Sequence, residues 1–138
     1  MMPLQTIAVG FDGSRDAEAA AAWSMDLALQ CDASVVLVYA VGLLARIEGE
    51  IVTADFQETV ERLARQVGLD RTRIHWHVAD GDACSVLARC ADEPVHADLL
   101  VVGSRGQGGH AGLLLGSTSL QLAEHTTLPV VIVPSARL

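Results

Sequence analysis

Val101-Val102-Gly103-Ser104-Arg105-Gly106, followed after nine intervening residues by Gly116-Ser117-Thr118, is the stretch on which the reading of this chain turns. An apolar run ends in a glycine, a second glycine stands three places on, and a Gly-rich segment then leads into a hydroxyl-rich helix start. Glycine lets the backbone turn tightly and approach a ligand closely. A helix N-terminus presents unpaired N–H groups and the positive end of a dipole. Together these features can hold phosphates without a dedicated lysine, and the 138 residues include no lysine at all.

Other phosphate motifs fail on spacing or composition. A P-loop needs GxxxxGK[ST] and so is excluded. Gly106-Gln107-Gly108-Gly109-His110-Ala111 matches GxGxxA by letter. The dinucleotide fingerprint, however, opens its helix directly after the strand and has an acid at the end of the next strand. Here the helix starts ten residues late and the following strand carries no acid. There is no GxSxG nucleophile elbow. The SGGxDS-like loop of ATP pyrophosphatases is also missing, although Gly10-Phe11-Asp12-Gly13-Ser14 occupies the equivalent place.

Outward from this stretch, apolar runs and helical patterns alternate. Thr6–Phe11 reads as a strand that ends at Asp12-Gly13-Ser14, with Ser14 the N-cap of an Ala-rich helix over Arg15–Gln30. Ser34–Ala40 is a second strand, and Val41–Val52 a loop. Thr53–Val67 has Phe56, Val60, Leu63, Ala64 and Val67 on one helical face. Arg73–Ala79 alternates, as expected of a strand solvated on one side, with Trp76 directed into the core. Asp82 caps a helix over Ala83–Ala91, Leu99–Val102 is the fourth strand, a helix runs from Gly116-Ser117 to His125, and Pro129–Val133 is the fifth strand.

The order β-α-β-α-β-α-β-α-β leaves no room for a second domain, so residues 1–138 are expected to form one. Near-continuous apolar strands separated by helices imply a parallel sheet covered on both faces. Right-handed crossovers make it a doubly wound α/β sandwich. Ligands in such folds sit at the carboxyl ends of the strands where the strand order reverses. The first and fourth strands end in the unusual residues Asp12-Gly13 and Gly103, which predicts strand order 3-2-1-4-5 with the fifth strand at an edge.

Charge and composition exclude several functions. The net charge is −8, with 17 acids against nine arginines, which argues against binding nucleic acid. Residues 1–98 hold 16 of those acids and seven of the arginines, whereas residues 99–138 hold only Glu124 against Arg105 and Arg137. The Gly-rich segment is therefore in the least acidic part of the chain, where an anion site belongs. No signal peptide or membrane-spanning run is visible, and Cys31, Cys84 and Cys90 include no CxxC pair. An odd cysteine count suits reduced thiols, and the expected location is cytoplasmic.

Gly103, Gly106, Gly116 and Ser117 fill every position of G-x2-G-x9-G-[ST]. With Ile7–Ser14 (IAVGFDGS), Gly81-Asp82, Ala97–Gly106 and Leu128–Pro134 (LPVVIVP), this chain resembles, over its whole length, the ATP-binding branch of the universal stress protein family. The resemblance implies an adenine nucleotide α-hydrolase-like fold with ATP lying across the first and fourth strand ends. It sets Asp12 beside the ribose, Ala40 in the adenine pocket, and the backbone of Val102 and Gly103 against base and sugar. The resemblance likewise implies that Gly106, Gly116, Ser117 and Thr118 contact the phosphates. A carboxylate can accept from both ribose hydroxyls, and Ser117 and Thr118 add donors at a helix start. The rival role for Asp12 and Ser117 is helix capping alone. Tyr39 stands where the family often has a histidine or similar polar residue.

Mg²⁺ is expected to bind through the ATP phosphates, because it retains waters and takes few protein ligands. His75 and His77 alternate like an HxH metal pair but lack a third ligand, so no metal residue is assigned. The uncharged fifth strand is an aggregation hazard unless covered, and pairing with a second copy across Pro129–Val133 covers it. The resemblance implies the same homodimer. A nucleotide-dependent regulatory protein is the leading expectation; a cyclic-AMP binder and a slow ATPase or phosphotransferase are the alternatives. No catalytic residue is assigned, since no carboxylate is evidently set to orient water and any turnover should be slow.

Overall fold

A computed structural model describes residues 3–41, 52–104 and 117–134. The strands are β1 (Thr6–Gly10), β2 (Ser34–Val41), β3 (Ile74–Asp80), β4 (Leu99–Gly103) and β5 (Val130–Val133), and the helices are α1 (Arg15–Cys31), α2 (Val52–Val67), α3 (Ala83–Ala88) and α4 (Ser117–His125). The strands form one parallel sheet in the order β3-β2-β1-β4-β5, as the sequence predicts.

The period-two alternation of the strands sorts the core into two layers. Ile7, Val9, Val35, Leu37, Leu99 and Val101 face α1 and α2, whose Ala20, Ala21, Met25, Val60 and Leu63 complete that layer. Ala8, Val36, Val38, Leu100 and Val102 face α3 and α4 through Cys84, Val86, Leu87 and Leu122. Hence the helices that follow neighbouring strands β1 and β4 leave the sheet on opposite faces. The strand order reverses between them, which in folds of this kind leaves a crevice at their carboxyl ends.

Local chemistry sets the boundaries. The Ser14 hydroxyl accepts a hydrogen bond from the Ala17 N–H at 3.2 Å, capping α1, and Asp16 and Glu18 in the first turn complement the helix dipole. The helix runs one residue past the predicted end, to Cys31, and stops at Asp32, which adopts a left-handed φ of 60°. Arg71–Arg73 forms a 3-10 turn, with Asp70 accepting from the Thr72 N–H, so β3 starts at Ile74 rather than Arg73. The helix expected over Ala83–Ala91 divides into α3 and a 3-10 turn at Arg89–Ala91. At the opposite end of the sheet from the crevice, Asp98 Oδ2 accepts from the N–H groups of Gln5 and Thr6, both at 3.0 Å, and ties the start of β1 to β4.

Trp76 packs against the α1–α2 core layer, as expected. Solvation of β3 is not confined to one side: His75 is exposed on one face and Val78 on the other. The reason is its position as an edge strand that the helices only partly cover. β5 is the opposite edge, and its four residues are half-buried. Among the described residues no helix is long and apolar enough to cross a membrane.

Candidate functional site at the reversal of strand order

Beyond β1, the Phe11 N–H donates to the Val38 carbonyl at 2.9 Å, holding the chain against β2 for one more residue. The backbone then turns. Asp12 Oδ1 accepts from the Ser14 N–H at 2.9 Å, and Gly13 takes φ +83°, a conformation that favours glycine. The helix cap is therefore Ser14. Asp12 braces the turn that precedes it, and Ser14 caps the helix as the sequence predicts.

The end of β4 is held as tightly. A Cβ on Gly103 would lie 2.6 Å from Asp16 Cβ and 2.7 Å from both the Asp16 carbonyl carbon and oxygen. The first turn of α1 thus packs directly on Gly103, and only glycine fits. Next to it the Ser104 hydroxyl donates to Asp16 Oδ2 at 2.9 Å, and the Ser104 N–H donates to the Val133 carbonyl at 3.0 Å. From the other face, the buried Ser119 hydroxyl of α4 donates to the Gly103 carbonyl at 2.8 Å. Gly103 is therefore clasped between the N-terminal turns of α1 and α4.

Of the residues singled out from sequence, the structure brings Asp12, Val102, Gly103 and the Ser117–Thr118 start of α4 to the same end of adjacent strands. Val102 is buried in the α3–α4 layer, and Thr118 is half-buried. Ala40 lies one strand away, two residues past Val38, the β2 partner of Gly10. Gly106 and Gly116 lie outside the described residues, as do Arg105, His110 and most of the Val41–Val52 loop. The backbone donors of the α4 start and the turn at Asp12 are chemically suited to an anionic ligand that also carries hydroxyl groups.

Sequence reasoning missed Asp16, Ser104, Ser119 and Phe56. Asp16 and Ser104 are 88 positions apart, and only the fold joins them. Ser119 carried a legible signal as the third hydroxyl of Ser117-Thr118-Ser119. The helical spacing of Phe56 marks only a core position. Its ring lies edge-to-face with Phe11 (centroids 5.1 Å apart) and Tyr39 (5.2 Å), at the same end of the sheet.

The buried thiols are poor nucleophiles. Burial raises the Cys90 thiol to about 11, and the thiol donates to the Val86 carbonyl at 3.3 Å; burial also raises Cys84. Asp82 is held below the ordinary carboxylate range by hydrogen bonds from the Ser85 N–H and hydroxyl. That is capping chemistry, as the sequence suggests. Among the described residues, no three His, Cys, Asp or Glu side chains gather as metal ligands.

Comparisons with known proteins agree on one family. The model of the universal stress protein family matches residues 3–134. Universal stress protein Rv2624c of Mycobacterium tuberculosis is 32% identical over 143 residues, an alignment covering 96% of this chain and 49% of that protein. This chain thus spans about half the length of that relative. Among solved structures, a universal stress protein in complex with cAMP is 31% identical, with a TM-score of 0.77 and coverage of 98% of this chain and 100% of that one. UspA of Lactobacillus plantarum, at 19% identity, shares the fold with a TM-score of 0.79 over 96% of this chain and 99% of that one.

Proposed function

The chain belongs to the universal stress protein family, and from that premise we propose that it is a nucleotide-binding regulator holding ATP across the carboxyl ends of β1 and β4. The observation that carries this reading is the reversal of strand order there. Asp12 follows one strand, Gly103 ends its neighbour, and the start of α4 stands over the same crevice. In this reading the Asp12 carboxylate accepts from the ribose, Ala40 lines the adenine pocket, and the Val102–Gly103 backbone meets base and sugar. Gly106, Gly116, Ser117 and Thr118 receive the phosphates. The clasp on Gly103 supports backbone contact there, since it fixes a strand end that bears no side chain.

Magnesium would be held through the phosphates, because it retains waters and takes few protein ligands. When bound, it neutralises phosphate charge. The chain's part is to aim the amides and hydroxyls of the α4 start at the same oxygens. Phosphoryl transfer is expected to be slow, and regulation then follows from which nucleotide is bound. A second copy paired along Pro129–Val133 completes the proposed assembly, supported by the edge position of β5. The family setting suggests the cytoplasm.

A cyclic-AMP-binding role is the second reading. It is favoured by the solved relative, 31% identical, that was crystallised with cAMP. Both ligands share adenine and ribose and differ in what reaches Gly106, Gly116 and α4. The nucleotide released from purified, denatured protein, resolved by anion-exchange chromatography against ATP, ADP, AMP and cyclic AMP, decides between them. ATP supports the first reading and cyclic AMP the second. If nothing is released, titration with magnesium-ATP decides. Gly116→Val should then abolish binding with the fold retained; a variant that binds like the wild type would overturn the phosphate assignment.

A further inference from the structure

Four of the chain's five aromatic residues form one edge-to-face series: Trp76 with Phe11 (6.0 Å between centroids), Phe11 with Phe56 (5.1 Å) and Phe56 with Tyr39 (5.2 Å). In a core otherwise built mainly from Ala, Val and Leu, this concentration has a definite location. It sits on the α1–α2 face at the carboxyl ends of β1 and β2, and Phe56 of α2 closes it against the turn that carries Asp12. The ring is so near Gly13 that a Cβ there would lie 2.5 Å from Phe56 Cε1 and 2.9 Å from Cζ. Gly13 also holds φ +83°. The turn is thus clamped on one side by an aromatic ring and on the other by the Ser14 N–H donated to Asp12 Oδ1 at 2.9 Å.

We propose that Phe56 is a positioning residue for the ligand site: its ring, wedged against Gly13, sets the Asp12 carboxylate for a ribose hydroxyl. This rests on the ATP-binding reading above and adds a residue from a helix that otherwise belongs to the core. The ring acts through the turn and makes no contact with the ligand. The consequence is selective. Losing the ring releases the turn and lowers preference for the ribose 2′-hydroxyl, while the phosphate end of the site is unaffected.

The test compares ATP with 2′-deoxy-ATP, by calorimetric titration in magnesium, for wild type, Phe56→Ala and Phe56→Leu. A hydrogen bond to a charged group is worth about 1.5–3 kcal/mol, so wild type should prefer ATP by about tenfold or more. Both variants should reduce that preference to within about threefold, Leu less completely than Ala, while retaining most of their affinity for 2′-deoxy-ATP. Equal losses for both ligands, with the preference kept, would mean that the ring touches the ligand or only supports the fold, and would overturn the proposal. The second measurement needs no ligand: amide hydrogen exchange at Ser14. Faster exchange in the variants, with circular dichroism unchanged, is expected; unchanged exchange overturns the clamp. If wild type shows no ribose preference, the Asp12–ribose assignment fails, and the exchange result alone decides whether Phe56 holds the turn.

Discussion

Gly103→Ala tests the clasp at the heart of the site. The added methyl would meet Asp16 Cβ at 2.6 Å and the Asp16 carbonyl carbon and oxygen at 2.7 Å. These are atoms of helix backbone and its root, which cannot rotate aside as a side-chain tip can. Restoring ordinary contact near 3.5 Å requires α1 to retreat by roughly 0.8 Å from β4. That movement would strain the 2.9 Å Ser104–Asp16 hydrogen bond and the Ala17, Ala20 and Ala21 packing behind it. Overpacking of this kind costs about 1–3 kcal/mol, and loss of the partly buried hydrogen bond adds about 1 kcal/mol. The sum, about 2–4 kcal/mol, is a large share of the stability of about 5–15 kcal/mol typical of a domain. At roughly 3–5 °C per kcal/mol for a chain of this size, Tm should fall by about 6–20 °C. The assay is thermal and urea unfolding of nucleotide-free protein, where loss of a ligand contact contributes nothing. A Tm within about 2 °C of wild type would refute the close approach. The glycine would then be needed only for its ligand.

Three further expectations follow from the same geometry. Ellman's reagent at pH 8 should titrate Cys31 quickly in the native protein, and Cys84 and Cys90 only on unfolding, because burial raises both of those thiols, Cys90 to about 11; rapid reaction of three thiols would contradict the buried α3 layer. Asp70 and Asp82 are held below the ordinary carboxylate range by the Thr72 and Ser85 hydrogen bonds, so their stabilisation is full above the unfolded-state value and lost as pH falls through the folded one. Asp82→Asn should therefore flatten the acid limb of a stability–pH profile while leaving its shape above pH ~5 unchanged; an unaltered acid limb would count against the cap. On the proposed pairing of two copies along Pro129–Val133, Val131→Glu should yield monomers or insoluble protein by light scattering, and an oligomer unchanged from wild type would move the interface away from β5.

Much of this fold is legible in one chain because its signals are local. Ser14 and Asp82 announce helix starts, the apolar runs are too continuous for a half-solvated sheet, and Gly103 marks the end of β4. The reversal between β1 and β4 follows from two strands that end in turn-forming residues, and the sheet has that order. The reason for Gly103 is different, because it depends on tertiary packing. From sequence its role is backbone approach to a ligand, whereas in the fold its missing Cβ also makes room for Asp16, 87 positions earlier. Phe56 is similar: its helical periodicity puts it on the buried face, but nothing near it in sequence connects it to Gly13. Boundaries shifted at single 3-10 turns, Arg71–Arg73 capped by the Asp70 side chain and Arg89–Ala91 with no side-chain cap, since such turns leave no periodic pattern to read.

The proposed function requires an adenine nucleotide to occupy the crevice where the strand order reverses. Its most direct test is an amide chemical-shift map recorded while magnesium-ATP is titrated into ¹⁵N-labelled protein. Nucleotide in the crevice should give saturable shifts concentrated at Phe11–Ser14, Val102–Ser104 and the first turn of α4, with β3 and the C-terminal half of α1 little affected. Shifts centred elsewhere, or none at millimolar ATP or cyclic AMP, would contradict it.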